Sequence, residues 1–255
     1  MYIRYTGESH SELDTKLDVM EKAGHPVVRV DLPDLINLGE QFFLWEMATA
    51  VAGSLLGINA FDQPNVQESK DFTKALLDEF KQTNRLPEEE PLLVSDGIRV
   101  YADAANRQAL GQIDTLDKAL AAHLKRISPG DYVAVNAYVA QNPDNDEVLQ
   151  ALRMKIRDKK RIATTLGYGP RFLHSTGQLH KGGPNSGVFL QITSNDADDL
   201  KIPGEPFTFG VLKAAQALGD FQSLSKRNRR LLRVHLGKDV EAGLRRLQQA
   251  VEAAV

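Results

Sequence analysis

The first third of the chain alternates between strand and helix patterns. Valine and polar residues alternate from Pro26 to Leu32, which predicts a short strand. Ser9 or Ser11 can cap an earlier helix that ends at Ala23-Gly24. A later helix, from about Glu40 to Leu56, is apolar on all sides. A helix of that composition is predicted to be buried.

A polar segment then separates two parts of the chain. A further helix is predicted from about Gln67 to Lys81, where apolar residues recur at helical spacing. From Thr83 to Pro91 the chain is polar and contains three consecutive glutamates and two prolines. We therefore predict two domains, residues 1–86 and residues 87–255.

Beyond this segment, strands and helices again alternate. Predicted strands cover Ile98–Ala102, Tyr132–Val139 and Gly187–Thr193. One predicted helix begins at a cap on Asp114, and a second begins at Asn145 or Asp146 and reaches about Arg161. Two more helices are predicted over Phe207–Leu218 and Lys238–Ala253. Alternation of this kind predicts an α/β fold with mainly parallel sheets flanked by helices.

Composition excludes several classes of function. Charged residues make up 25% of the chain and the net charge is −3, so no basic face for nucleic acid is predicted. The longest apolar stretch, Phe42 to Ile58, contains Glu46 and two glycines and is too short for a membrane span. The chain has no cysteine, which excludes disulfides and thiolate sites and fits a cytoplasmic protein. Strand-like residues start at Met1 without a leader, so we expect a piece of a longer chain.

The loop after the apolar helix is unusually polar. Asn59, Asp62, Gln63 and Asn65 lie close together in the sequence there. Such residues either cap the next helix or line a polar cavity. Lys70 lies inside that next helix, where residue type alone predicts a solvated surface lysine.

A second unusual segment runs from Gly167 to Pro184. It contains five glycines, His174 and His180, and the cationic residues Arg171 and Lys181. Glycines let a backbone approach a ligand closely, and the cations could hold an anion. The histidines are six positions apart in a non-helical context, which does not favour zinc. The chain lacks a dinucleotide or phosphate-loop motif, so neither a metal nor a cofactor is predicted.

Residues Leu55 to Lys70 resemble the signature near the C-terminus of phosphoglucose isomerases. That pattern is roughly G-[VI]-N-x-F-[DN]-Q-[PW]-x-V-x-x-x-K, and every fixed position is filled here. The resemblance implies three-layer sugar-isomerase-like units and interconversion of glucose 6-phosphate and fructose 6-phosphate. It also implies that Lys70 helps to open the sugar ring and that Gln63 lies beside the bound sugar phosphate.

The stretch from His174 to Gln178 resembles the H-S-x-G-Q segment of bacterial phosphoglucose isomerases. The resemblance implies that His174 is a second ring-opening residue. Arg171, Ser175, Gln178 and Lys181 are our candidates for substrate binding in the same segment. In the ordinary enzymes, however, the histidine segment precedes the lysine signature, and it comes from the neighbouring subunit of a dimer. Either this segment reaches back to the site from an appended unit, or it is a decayed copy with a structural role.

Other parts of that active site have no counterpart in the chain. We find neither an S-x-[ST]-G-[TS]-T phosphate loop nor a G-G-R-[FY]-S segment, and Glu46 does not match the catalytic base. The chain looks most like the isomerase part of bifunctional transaldolase/phosphoglucose isomerases, with residues 87–255 as an extension. We expect it to be nearly inactive alone, with the rest of a longer chain or a second copy as partner. The alternatives are a non-catalytic module that binds a sugar phosphate and a module that only holds a dimer.

Overall fold

Most strands and helices lie where the sequence patterns predict them. The computed structural model describes residues 1–255 and separates into two units, Met1–Asp62 and Gln63–Val255. In the first unit, strands β1 (Tyr2–Tyr5) and β2 (Arg29–Leu32) pair in parallel. Helix α1 (Ser11–Lys22) connects them, because parallel strands need a crossover. Helix α2 (Asn37–Leu56) follows.

The predicted burial of α2 is wrong. Its large apolar side chains are exposed, with Phe42, Phe43 and Leu55 at 63%, 67% and 83% of their full accessible surface. A two-stranded sheet offers too little surface to cover a 20-residue helix that is apolar on all sides. An apolar patch of this kind usually marks a surface that meets another molecule or another part of a protein.

The second unit contains the remaining elements. They are α3 (Pro64–Thr83), β3 (Leu93–Ser95), β4 (Ile98–Tyr101), α4 (Ala104–Leu110), α5 (Leu116–Leu124), β5 (Tyr132–Tyr138), α6 (Pro143–Lys160), β6 (Ala163–Tyr168), a 3-10 turn (Arg171–His174), α7 (Gly177–Gly182), β7 (Gly187–Thr193), α8 (Phe209–Lys226), β8 (Arg230–His235) and α9 (Val240–Ala254). None of the helices is both long and apolar enough to span a membrane.

Six strands form one sheet in the order β3-β4-β8-β7-β5-β6. The four strands β8, β7, β5 and β6 are parallel, whereas β3 and β4 form an antiparallel edge. The sheet is covered on both faces, as parallel sheets normally are. Val133 and Val135 face the core beneath α5, α6 and α9, while Ala134 packs with Phe189 and Phe221 beneath α8. The predicted α/β fold with a mainly parallel sheet flanked by helices is confirmed, and it is consistent with a three-layer sugar-isomerase-like unit.

The predicted cap of α1 at Ser9 or Ser11 is wrong, because His10 is the N-cap and no side chain caps this helix. Two further helices start at caps other than those predicted. Thr115, rather than Asp114, caps α5 by accepting a hydrogen bond from the Lys118 N–H at 3.2 Å. Asn142, rather than Asn145 or Asp146, caps α6 and accepts from the Asn145 N–H at 2.8 Å. Both corrections have one cause: several neighbouring residues could serve as caps, and the extended backbone at Thr115 and Asn142 selects one of them.

Helix α3 packs against α8 within the second unit. Leu76 of α3 joins a buried cluster with Ala215 and Leu218 of α8. The two compact units divide after Asp62. The division at residues 86 and 87 describes where the isomerase-like part ends, and it stays a prediction.

The α3–α8 contact depends on Gly219. A Cβ atom at this position would lie 2.8 Å from Thr73 Oγ1 and 3.3 Å from the Ser69 carbonyl oxygen. We predict that Gly219→Ala lowers the free energy of unfolding by about 1–2 kcal/mol, since overpacking outweighs the better helix propensity of alanine. Urea-induced unfolding measures this. Gly39→Ala is the control, because a Cβ there meets nothing within 4 Å. Equal stability of both variants would contradict the close packing.

Candidate functional site

Lys70 and His174 line the same pocket of the second unit. The pocket has a volume of about 410 Å³ and lies along α3, facing the 3-10 turn and the loop before α8. Lys70 is exposed on α3, and His174 is exposed as the last residue of the 3-10 turn. The structure thus brings together the two residues that the isomerase resemblance singles out, although their segments are far apart in the sequence.

A direct contact joins the two segments beside this pocket. The backbone N–H of Asn65, near the start of α3, donates to Gln178 Oε1 at 3.1 Å. The side-chain amides of the same two residues are 2.7 Å apart. These residues are 113 positions apart, and Asn65 is buried. Gln178 therefore holds the segment that contains His174 against the beginning of α3.

Charged side chains surround the pocket. Lys74, Asp78 and Lys81 follow Lys70 on one face of α3 and line the pocket with it. Lys81 forms an ion pair with Glu205 at 3.0 Å, and its Nζ atom lies 5.5 Å from the centre of the Phe207 ring. The arrangement offers cations for an anionic ligand and, in His174, an imidazole whose ring nitrogens can accept or donate a hydrogen bond.

The remaining predicted site residues lie elsewhere. Gln63 is exposed at the N-cap of α3. Arg171 and Ser175 line a separate pocket of about 420 Å³, where Arg171 donates to Gln141 Oε1 at 2.8 Å. Gln178 contacts Asn65, as described above. Only Lys70 and His174 of the predicted set face the shared pocket.

Lys181 is enclosed in the core. Its side chain is 1% exposed, and Nζ lies 2.6 Å from Oδ1 of Asp220, which is fully buried in α8. A buried charge needs a partner of this kind, and removing one member of such a pair is strongly destabilising. The geometry does not support substrate binding by Lys181. It indicates that Lys181 anchors α7 to α8.

His180 also belongs to the core. Its ring packs among those of Tyr132, Phe172 and Phe189, with the nearest ring centre at 5.1 Å. Burial, with the nearby charges of Lys181 and Arg229, lowers the pKa of His180 to about 4, so the ring is neutral at pH 7. No group of three or more histidine, aspartate or glutamate side chains is placed to hold a metal ion.

The sequence interpretation did not identify several residues that line the pocket. Lys74, Asp78 and Lys81 carried a usable signal, since they repeat at helical spacing after Lys70. Glu205 and Phe207 carried none, because their loop meets α3 only in the folded chain. Glu68 escaped as well, although it lies within the isomerase-like signature.

Glu68 ties α3 to the end of α8. Its Oε2 atom accepts from Arg227 at 2.8 Å and from Ser223 at 3.0 Å, and Oε1 lies 3.1 Å from Lys226 Nζ. Burial opposes the charged form, but the hydrogen bonds from Arg227, Lys226 and Ser223 prevail and hold the pKa of Glu68 below its usual value. The charged carboxylate therefore stabilises the placement of α3.

We predict that Glu68→Gln destabilises the chain by about 1 kcal/mol at pH 7. A carboxylate with a lowered pKa stabilises the fold above its unfolded pKa, and this contribution disappears as the pH falls through the folded pKa. The difference between wild type and variant should therefore shrink below about pH 4. Urea-induced unfolding of both proteins at pH values from 3 to 7 measures this difference in the free energy of unfolding. Glu79→Gln, on an exposed position of α3, is the control and should have little effect at any pH. A loss that does not change with pH would contradict the role of the charge.

Comparison with known proteins finds short matches to glucose-6-phosphate isomerases. The identity is 44% over 62 residues with a probable glucose-6-phosphate isomerase of Methanococcus maripaludis. It is 41% over 56 residues with the glucose-6-phosphate isomerase of Leptospira biflexa, and 35% over 69 residues with that of Parabacteroides distasonis. The segments cover 24%, 21% and 26% of this chain, and 14%, 12% and 15% of the relatives. The chain thus matches less than a sixth of the length of these curated relatives.

Other comparisons add little. No protein-family model matches the chain. A hypothetical protein of Thermus thermophilus, known from its crystal structure, aligns with a TM-score of 0.47 and 14% identity, over 58% of this chain and 41% of that one. What the comparisons establish is that this α/β protein contains a short segment similar to glucose-6-phosphate isomerases.

Proposed function

We propose that this chain is part of an aldose–ketose isomerase acting on glucose 6-phosphate and fructose 6-phosphate, in which Lys70 and His174 open the sugar ring. One observation supports this most: two segments that resemble phosphoglucose isomerase, in the reverse of the usual order, contribute Lys70 and His174 to one pocket. A decayed, purely structural copy of the histidine segment would not need its histidine exposed beside the lysine.

The chemistry of ring opening suits this pair. The ring oxygen must receive a proton while the anomeric hydroxyl loses one. An ammonium group can donate the first proton, and a neutral imidazole can accept the second. Lys74 and Lys81 on the same face of α3 would attract the phosphate of the substrate.

The chain would supply only a share of the isomerase. The sequence lacks a counterpart of the base that moves the proton between C1 and C2 and of the main phosphate loop. The exposed apolar side chains of α2 would pack against the remainder of a longer isomerase or transaldolase/isomerase chain, or against a second copy. Gln63, at the start of α3, remains a predicted neighbour of the sugar phosphate.

A second candidate is a non-catalytic module that binds a sugar phosphate. The separate pocket beside Arg171 and Ser175 favours it, because an exposed guanidinium there could hold a phosphate. In that case binding would depend on Arg171 rather than on Lys70 or His174.

Anomer exchange of glucose 6-phosphate tests the proposal directly. Because the chain would open the ring without moving the C2 proton, we predict that it accelerates exchange between the α and β anomers and forms no fructose 6-phosphate. Two-dimensional exchange NMR measures the rate at which the two anomers interconvert. Lys70→Met and His174→Gln should each reduce the added exchange rate by about a hundredfold or more, as expected for loss of a general acid or base.

Arg171→Ala is the matched control, since Arg171 lines the other pocket. It should leave the exchange rate unchanged. Isomerisation by the chain alone would contradict the proposed division of the active site. Calorimetric binding of fructose 6-phosphate that survives His174→Gln but not Arg171→Ala would favour the binding module.

A further inference from the structure

A second crevice lies where the order of the parallel strands reverses. From β5 the chain passes to β6 on one side, then returns to β7 and β8 on the other. Neighbouring β5 and β7 therefore form a topological switch point. In open α/β sheets, ligands bind in the crevice outside the carboxyl ends of the strands at this point.

The carboxyl ends of three parallel strands open into this crevice. Tyr138, Thr193 and His235 are the last residues of β5, β7 and β8, and all three line it. Its volume is about 580 Å³, within the roughly 300–1,000 Å³ of small-molecule sites. It shares no lining residue with the pocket of Lys70 and His174.

The crevice contains an arginine that is held in a fixed orientation. Arg233 is 10% exposed, and its guanidinium lies 4.2 Å from the centre of the Tyr101 ring and 4.9 Å from that of Phe221. Glu89, from the polar segment between α3 and β3, forms an ion pair with it. A planar, stacked guanidinium is suited to bidentate recognition of a phosphate or carboxylate.

Further cations line the same crevice. Lys213 pairs with Asp196, and Arg99 is exposed at the crevice. Burial, followed by the charges of Arg99, Arg233 and Lys213, lowers the pKa of His235 to about 4. The three cations thus act together on one neutral imidazole at the end of β8.

Two polar groups of the crevice residues lack partners. His235 Nδ1 lies 3.0 Å from Thr193 Oγ1, but the buried Nε2 atom has no hydrogen-bond partner. The buried Tyr138 hydroxyl also makes no hydrogen bond of good geometry. Burial and the nearby Asp220 carboxylate raise the pKa of this hydroxyl. Buried polar groups are normally satisfied by a protein group, water or a ligand, so these two atoms are free to bond a molecule that enters the crevice.

We propose that this crevice binds a small phosphomonoester, whose phosphate replaces the Glu89 carboxylate on Arg233 and is also held by Lys213. A phosphate has three acceptor oxygens, so it can serve Arg233 and Lys213 together, where Glu89 and Asp196 now serve one each. Glu89 thereby acts as an internal competitor for the ligand. The site is independent of the ring-opening pair.

Calorimetry of the whole chain with glycerol 3-phosphate tests this. The wild type should bind it, and Glu89→Gln should bind about tenfold more tightly, because the ligand no longer displaces a carboxylate. Lys213→Met should bind about tenfold more weakly. Lys159→Met removes one charge from an exposed position outside both pockets and should have no effect.

A second measurement needs no variant of the buried arginine. The imidazole NMR signals of His235, assigned with His235→Gln, should shift when glycerol 3-phosphate is added to the wild type. Citrate, a carboxylate without phosphate, should bind more weakly. The proposal is overturned if the His235 signals do not move, if Glu89→Gln fails to tighten binding, or if citrate binds as tightly. Binding that is lost in Lys70→Met but kept in Lys213→Met would place the phosphate in the other pocket and also overturn it.

Discussion

The packing of α3 on α8 is the contact on which the candidate site depends. It is close because Gly219 has no side chain, and the charged network of Glu68 with Arg227 and Lys226 fixes the ends of the two helices. Since α8 covers one face of the sheet, α3 has a defined position relative to the loops at that side. Lys70 is therefore placed by helix packing rather than by its own contacts.

The histidine segment is fixed by a different device. Lys181 and Asp220 form a fully buried ion pair between α7 and α8, and Gln178 reaches across to Asn65. A buried pair of this kind contributes little net stability but makes alternative placements costly, because each would leave an unpaired charge in the core. The residues of the segment thus divide their roles: Lys181 and His180 hold it, Gln178 connects it to α3, and His174 remains exposed at the pocket.

The sequence predicted local structure better than tertiary relationships. Strand β7 was predicted with the correct bounds because its short segment is rich in β-branched and aromatic residues. Strands β6 and β8 were missed, since Ala163–Tyr168 mixes small and polar residues and Arg230–His235 carries two arginines. Apolar composition indicated that α2 would be buried, but burial also requires a covering surface, which the pattern of one helix cannot reveal. The signature around Lys70 and the motif around His174 could be recognised, but their meeting in one pocket depends on the α3–α8 packing. The same limit applies to Lys181. Its charge suggested contact with a ligand, and only the folded structure shows that it pairs with Asp220.

The proposed ring opening requires Lys70 and His174 to act in the one pocket that both of them line. Because the chain contains no cysteine, this can be tested by paired substitution. A chain with Lys70→Cys and His174→Cys should form an intramolecular link with a short bismaleimide, measured by intact-mass spectrometry. A chain with Lys70→Cys and Lys159→Cys should not, because Lys159 is exposed on α6, which packs on the face of the sheet opposite to α8 and α3. Equal linking in both chains, or none between positions 70 and 174, would contradict a shared site.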